Sequence, residues 1–261
     1  MNPAISADGR YVAYESLATN LASGSLGAGS QIYVYDVQLE RVDRVSIDAD
    51  HFAANGSCYT PSISEDGRFI VFESLATSLD ADFEAALAST NAAQVFVHDR
   101  DPSNMGVFGS EFATHLVSAA AGVPANQDVV TPKVSLDGRI VAFVSRASNL
   151  GYTNDNSLSQ VYCRELGSED GVPIGEPILV SVNTDGLVGN ANSSGPAING
   201  GPSTAPYGLQ IAFASDSSDL ISGDTNGISD VFIRDFRDFR DFRDDSSDSP
   251  IPVTVRASVS N

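Results

Sequence analysis

The phrase PAISADGRYVAYES (3–16) returns as PSISEDGRFIVFES (61–74) and as PKVSLDGRIVAFVS (132–145). A fourth copy, PAINGGPSTAPYGLQIAFAS (196–215), carries an insertion where the others have the DGR turn. Three further phrases follow each copy in fixed order. The first reads LATNL, LATSL, RASNL and DSSDL; the next QIYVYD, QVFVHD, QVYCRE and DVFIRD; the last RVSI, LVSA, LVSV and RASV. A chain that writes the same phrases in one order four times folds one unit four times.

Each phrase has a physical reading. RYVAYES and QIYVYD are short, apolar and rich in β-branched and aromatic residues, which suits a pleated surface covered on at least one side. ADG, EDG and LDG supply tight turns between strands, with glycine accepting positive φ. Only ADFEAALAST (81–90) hints at helix, for a turn or two. Each unit is thus about four short strands, and repeated four-stranded units are the pattern of β-propeller blades. The expected fold class is all-β: a β-propeller with four four-stranded blades, as one domain with blades at about 1–50, 51–122, 123–188 and 189–261, or as part of a larger ring. A sandwich is the alternative, but gives no reason to reuse the same words in each sheet.

Acidic residues outnumber basic ones 34 to 14, for a net charge of −20. Such a field repels phosphate backbones and anionic headgroups, so nucleic acid and membrane insertion are not expected. No apolar run is long enough to cross a bilayer. MNPAISADGR has no basic segment followed by an apolar one, so no signal peptide is read here. That fits a cytoplasmic protein or a mature piece without its leader. Cys58 and Cys163 make no disulfide framework and fall at different places in the repeat, which speaks against their pairing.

Pro3, Ser6, Asp8, Gly9, Arg10, Val12, Ala13, Tyr14 and Ser16, with their counterparts in the next two repeats, follow a pattern that resembles the blades of the TolB-like β-propeller family. SDLISGDTNGISDVF (218–232) is similar to a connection found in its bacterial branch. The resemblance implies a radial ring with the first strand near the axis, a periplasmic or extracellular setting, and interaction roles. It implies no reaction. Relatives commonly have more blades, so four blades close alone, belong to a larger ring, or self-associate to complete one.

DTNGISD (224–230) places Asp224, Asn226 and Asp230 around a glycine, an oxygen-rich spacing that can hold calcium. It competes with an Asx turn bonded to its own backbone. The loop GYTNDNSLSQ (151–160) keeps Asn154, Asp155 and Asn156 but ends in glutamine. Asp8, Asp66 and Asp137 read as turn caps, because a residue repeated at one place in three units is a structural device. His98 occupies a variable strand position shared with Tyr35, Arg164 and Arg234, and no histidine spacing points to zinc. RDFRDFRDFRDD (234–245) repeats every third residue, which fits neither helix nor strand. It reads as a lengthened, solvated loop, or as a partner-contact loop presenting Phe236, Phe239 and Phe242. The expected function is therefore a non-enzymatic binding or scaffold propeller for a protein or saccharide partner, with calcium as a candidate stabilising ion. The alternative is a hydrolase, or the accessory propeller of a larger hydrolase or peptidase, which needs carboxylates converging on the axis.

Overall fold

The computed structural model of the chain describes residues 3–24, 27–109, 111–152, 157–168, 170–200, 208–236 and 252–258. Each repeat forms a four-stranded antiparallel sheet whose strands lie in chain order. The first sheet holds β1 (Ala4–Ile5), β2 (Tyr11–Ser16), β3 (Gln31–Asp36) and β4 (Arg41–Arg44). The second holds β5 (Cys58–Ile63), β6 (Phe69–Ser74), β7 (Gln94–Asp99) and β8 (Ala113–Leu116), with α1 (Glu84–Leu87) between β6 and β7. A two-stranded ribbon, β9 (Ala119–Ala120) and β10 (Val123–Pro124), leads to the third sheet of β11 (Val129–Val134), β12 (Ile140–Ser145), β13 (Gln160–Leu166) and β14 (Pro173–Leu179). The fourth holds β15 (Ser193–Ile198), β16 (Gln210–Ser215), β17 (Asp230–Asp235) and β18 (Val253–Arg256).

The units are equivalent in detail. Tyr14, Phe72, Phe143 and Phe213 each lie opposite an aromatic residue on the next strand, with ring centroids 5.9, 6.2, 5.9 and 6.0 Å apart. In the first three repeats the turn is built from the same parts. The Ser6, Ser64 and Ser135 hydroxyls each donate to the carboxylate of Asp8, Asp66 or Asp137 at 2.6 Å. That carboxylate also accepts the amide N–H of the following arginine. The glycine closes the turn at φ +74° to +77°, where a side chain is disfavoured. The arginine then reaches the acid that ends the third strand: Arg10 to Asp36, Arg68 to Asp99, Arg139 to Glu165. Arg68 and Asp99 are both buried and joined by two hydrogen bonds, of 2.8 and 2.7 Å.

In the last three repeats the first strands run further back than the phrases that open each repeat. They start ahead of the proline and cross it through a β-bulge. The residue before the proline holds φ +47° at Thr60, +53° at Thr131 and +60° at Gly195. Positive φ is strained for a β-branched residue, so the surroundings must hold it. The Glu15 carboxylate accepts the Thr60 N–H at 3.4 Å, and Glu73 accepts the Thr131 N–H at 2.8 Å and the Thr60 hydroxyl.

Successive sheets stack face to face through their first strands, as propeller blades do. Three apolar clusters fill the three junctions. Between the first two sheets, Ile32 and Val34 meet Ile70 and Phe72; at the next junction Val95 and Val97 meet Val141 and Phe143; at the third Val161 and Cys163 meet Ile211 and Phe213. Cys58 and Cys163 are buried free thiols, their pKa values raised by burial, that of Cys58 to about 12. A buried glutamine fastens each junction. Gln31, Gln94 and Gln160 each accept a hydroxyl hydrogen bond from a serine after the fourth strand, at 2.7, 2.7 and 2.6 Å. Their side-chain amides donate to carbonyls of the segment that begins the next repeat, those of Ala54, Ala125 and Ala191 among them.

Candidate functional site

A cleft of about 400 Å³ opens between the outer strands of the first and second sheets. One wall comes from the connection after β4, where Ile47 and Ala53 pair across a tight loop. The Asp48 carboxylate accepts the N–H groups of Asp50 and Phe52 at 3.0 and 2.9 Å, which fixes the loop's shape. The same loop recurs after the third sheet, where Asn183 takes the place of Asp48 and Val182 pairs with Val188. There the residue at the tip is Gly186, at φ +78°; here it is His51, at φ +64°. A side chain stands where the backbone favours glycine, and it projects an exposed imidazole at the cleft.

His51 meets the edge of Phe112 at 4.9 Å between centroids, and Phe112 stacks on His98 at 5.1 Å. His98 is buried and its pKa is pushed down to about 3, first by burial, then by Arg100 and His115. It is a neutral imidazole. Its Nδ1 is 2.9 Å from the Thr114 hydroxyl, which donates its own proton to the Ile47 carbonyl. The Thr114 hydroxyl thus bridges the imidazole and the backbone of the preceding sheet. Arg100 lies 4.6 Å from each of the Tyr11 and Phe108 rings and donates to the Gly67 carbonyl. Arg44 lies over Tyr33, and Asp43 and Glu111 add carboxylates to the lining. The arrangement can hold a polar ligand with one apolar face: aromatic rings for that face, carboxylates and guanidinium groups for its hydroxyls or amides.

Asp224, Asn226 and Asp230 do come together, but around an arginine. Arg256 donates to Asp224 at 3.1 Å and to Asp230 at 3.4 Å, while the Asn226 amide donates to Asp230 at 2.8 Å. The Ser258 hydroxyl donates to Asp230 at 2.5 Å and leads the causes that lower its pKa. Two carboxylates and an amide fall short of the six to eight oxygens calcium takes, and the guanidinium already supplies the positive charge. As folded, the donor set is an ion-pair network and does not fit calcium. Asn154, Asp155 and Asn156 lie outside the described residues.

Phe236 is not presented to a partner. It is buried in the cluster between the third and fourth sheets. Phe239 and Phe242 lie outside the described residues. Glu15 and Glu73, both on second strands, are bonded to Thr60, which sits between them, and Asp8, Glu65, Asp66 and Asp137 line a separate cavity at the turns that follow the first strands. His51, Phe112, and the junction glutamines were not singled out from the sequence. The glutamines left a signal, the Q that opens the third phrase in three copies.

Among the described residues, no helix is long and apolar enough to cross a membrane, and no group of three or more His, Cys, Asp or Glu could hold a metal. No family model matches the chain, and no curated protein sequence does. Its backbone is similar to solved structures that include propellers. TolB from Acinetobacter baumannii is 16% identical, with a TM-score of 0.45, over 90% of this chain and 40% of that one. The β-propeller domain of the Trilobed protease from Pyrococcus furiosus is 12% identical, with a TM-score of 0.44, over 90% and 52%. The tricorn protease is 11% identical, with a TM-score of 0.43, over 87% and 17%. The chain thus spans about half or less of the length of these structures.

Proposed function

We propose that the chain is a non-enzymatic binding module: four four-stranded propeller blades, alone or within a larger ring, that hold a ligand-reading cleft between the first two. The observation that carries this reading is the His51–Phe112 pair at the cleft, with His51 held at a left-handed backbone position where the equivalent loop has glycine. Strained non-glycine residues concentrate at sites of function, and rigid sheets make a good frame for a loop that reads a ligand. The lining favours a saccharide, since a pyranose ring offers an apolar face to Phe112 and hydroxyls to Asp43, Glu111 and Arg44. A peptide segment of similar character is the other partner that fits. The setting proposed is the periplasm or the cell exterior, as the resemblance of the blades implies. Calcium would bind at Asp224 and Asp230 only by displacing Arg256, so it has no part in this reading.

The test is a glycan array and a peptide panel probed with wild type and Phe112→Ala. Binding should fall roughly tenfold or more in the variant, the scale of one lost aromatic contact, while the circular-dichroism melt stays that of a folded chain. Turnover of ester, peptide or glycoside substrates by the purified chain would move the assignment to the hydrolase alternative. A hit that Phe112→Ala leaves intact would remove the cleft from the account.

A further inference from the structure

Among the described residues the stack of sheets has two uncovered ends, and they are the two halves of one junction. At each internal junction, a third-strand residue of one sheet is sealed by the next: Ile32, Val95 and Val161 are all 0% exposed. Their equivalent in the fourth sheet, Val231, is 44% exposed. Its neighbours on that face, Ala212, Ala214, Ile233 and Val255, are half-buried or exposed as well. At the other end, Ile5 is 62% exposed, whereas its equivalents Ile63 and Val134 are 7% and 6%. Val12 is half-buried, whereas Ile70, Val141 and Ile211 are sealed.

Both ends keep the apolar pattern of a junction that the described residues leave unmade. Solvent-facing strands would alternate polar residues at these positions. The two ends are also of opposite kind, one that receives a following sheet and one that follows. We infer that a second copy of this chain covers them, the first sheet of one copy docking on the fourth sheet of the other. Such a contact is heterologous, and it repeats the apolar register already used three times inside the chain. It goes beyond the cleft assignment and rests on the blade stacking alone.

Sedimentation velocity on three samples tests it. Wild type should associate in a concentration-dependent way. Val231→Asp and Ile5→Asp, each at an exposed position and so able to fold, should each be monomeric when alone, with association weakened roughly 100-fold or more by burial of an unpaired charge. Mixing the two variants restores one competent junction, an intact fourth-sheet face on one and an intact first-sheet face on the other, and should give a dimer and nothing larger. A monomeric wild type at 100 μM, on the order of the weakest specific association, overturns the inference. So does an Ile5→Asp chain that still dimerises alone, since that shows a fourth-sheet face packing on itself.

Discussion

Acid should loosen this fold through His98, by an amount the structure sets. Buried against Phe112 and Thr114, with Arg100 and His115 adding repulsion, the imidazole has a pKa of about 3, against 6.5 as the ordinary value. Between those limits the unfolded chain binds a proton that the folded chain does not. Stability is therefore fully present above pH 6.5 and declines as pH falls toward 3. One proton of difference costs about 1.4 kcal/mol per pH unit, so roughly 2 kcal/mol is lost by about pH 5. Other titrating groups also act in this range, which makes the useful quantity a difference between two proteins. In His98→Gln the amide can still bond Thr114 but does not titrate. Urea unfolding of wild type and His98→Gln at pH 7 and pH 5 gives four free energies, and the contributions of groups that do not interact with His98 cancel in the double difference. The advantage of wild type over the variant should shrink by about 2 kcal/mol between the two conditions. Parallel pH profiles would refute the reasoning, since they would mean that His98 takes up its proton as readily in the folded chain as in the unfolded one.

Gln94→Ala removes the acceptor of the Ser118 hydroxyl and the donor to the Ala125 carbonyl, both buried, and leaves a small void. Urea unfolding should report a loss of about 3 kcal/mol, two buried hydrogen bonds at roughly 1 kcal/mol each and the rest from lost packing. Arg256→Ala should lower Tm modestly, by about 1 kcal/mol of stability, because its side chain is 20% exposed and the pairs are partly screened. EDTA should leave the wild-type melt unmoved, and a chelator-dependent drop in Tm would show that a metal competes with Arg256 for Asp224 and Asp230.

The structure within each unit was legible in the sequence, because it is made by residues close along the chain. The DGR turn recurs in three copies, and the apolar second and third strands recur in the same order in all four. What holds one unit to the next was harder to see. Gln94 bonds Ser118 and Ala125, 24 and 31 residues away, and a lone glutamine in an apolar strand gives no local reason for its place. The bulge at Thr60 and Thr131 runs against propensity, since β-branched residues avoid positive φ; the clue was the step before proline, filled by Thr, Thr and Gly. Phe236 was misread because the RDF tandem looks uniform. Its counterpart in the third repeat, Leu166, also follows the acid that ends the third strand, and it too is buried. Arg256 lies 26 residues beyond Asp230, so no reading of the DTNGISD loop alone could place a guanidinium between its carboxylates.

One strand position explains why the cleft lies at the first junction. His98, Arg164 and Arg234 all reach back to the end of the preceding sheet. Arg164 donates directly to the Val117 and Ala119 carbonyls at 2.7 Å, and Arg234 bonds Thr254, which donates to Val182. His98 makes the same link through Thr114 to Ile47, but its ring stops two bonds short of where a guanidinium would end. The space left over is lined by His51, Phe112 and Arg44. The repeat therefore supplies the frame and its fastening, and a shorter side chain at one repeated position supplies the room. The variable residue in an otherwise regular strand, read from the sequence as a position without a ligand role, shapes the cleft while its own polar atom stays bound to the frame.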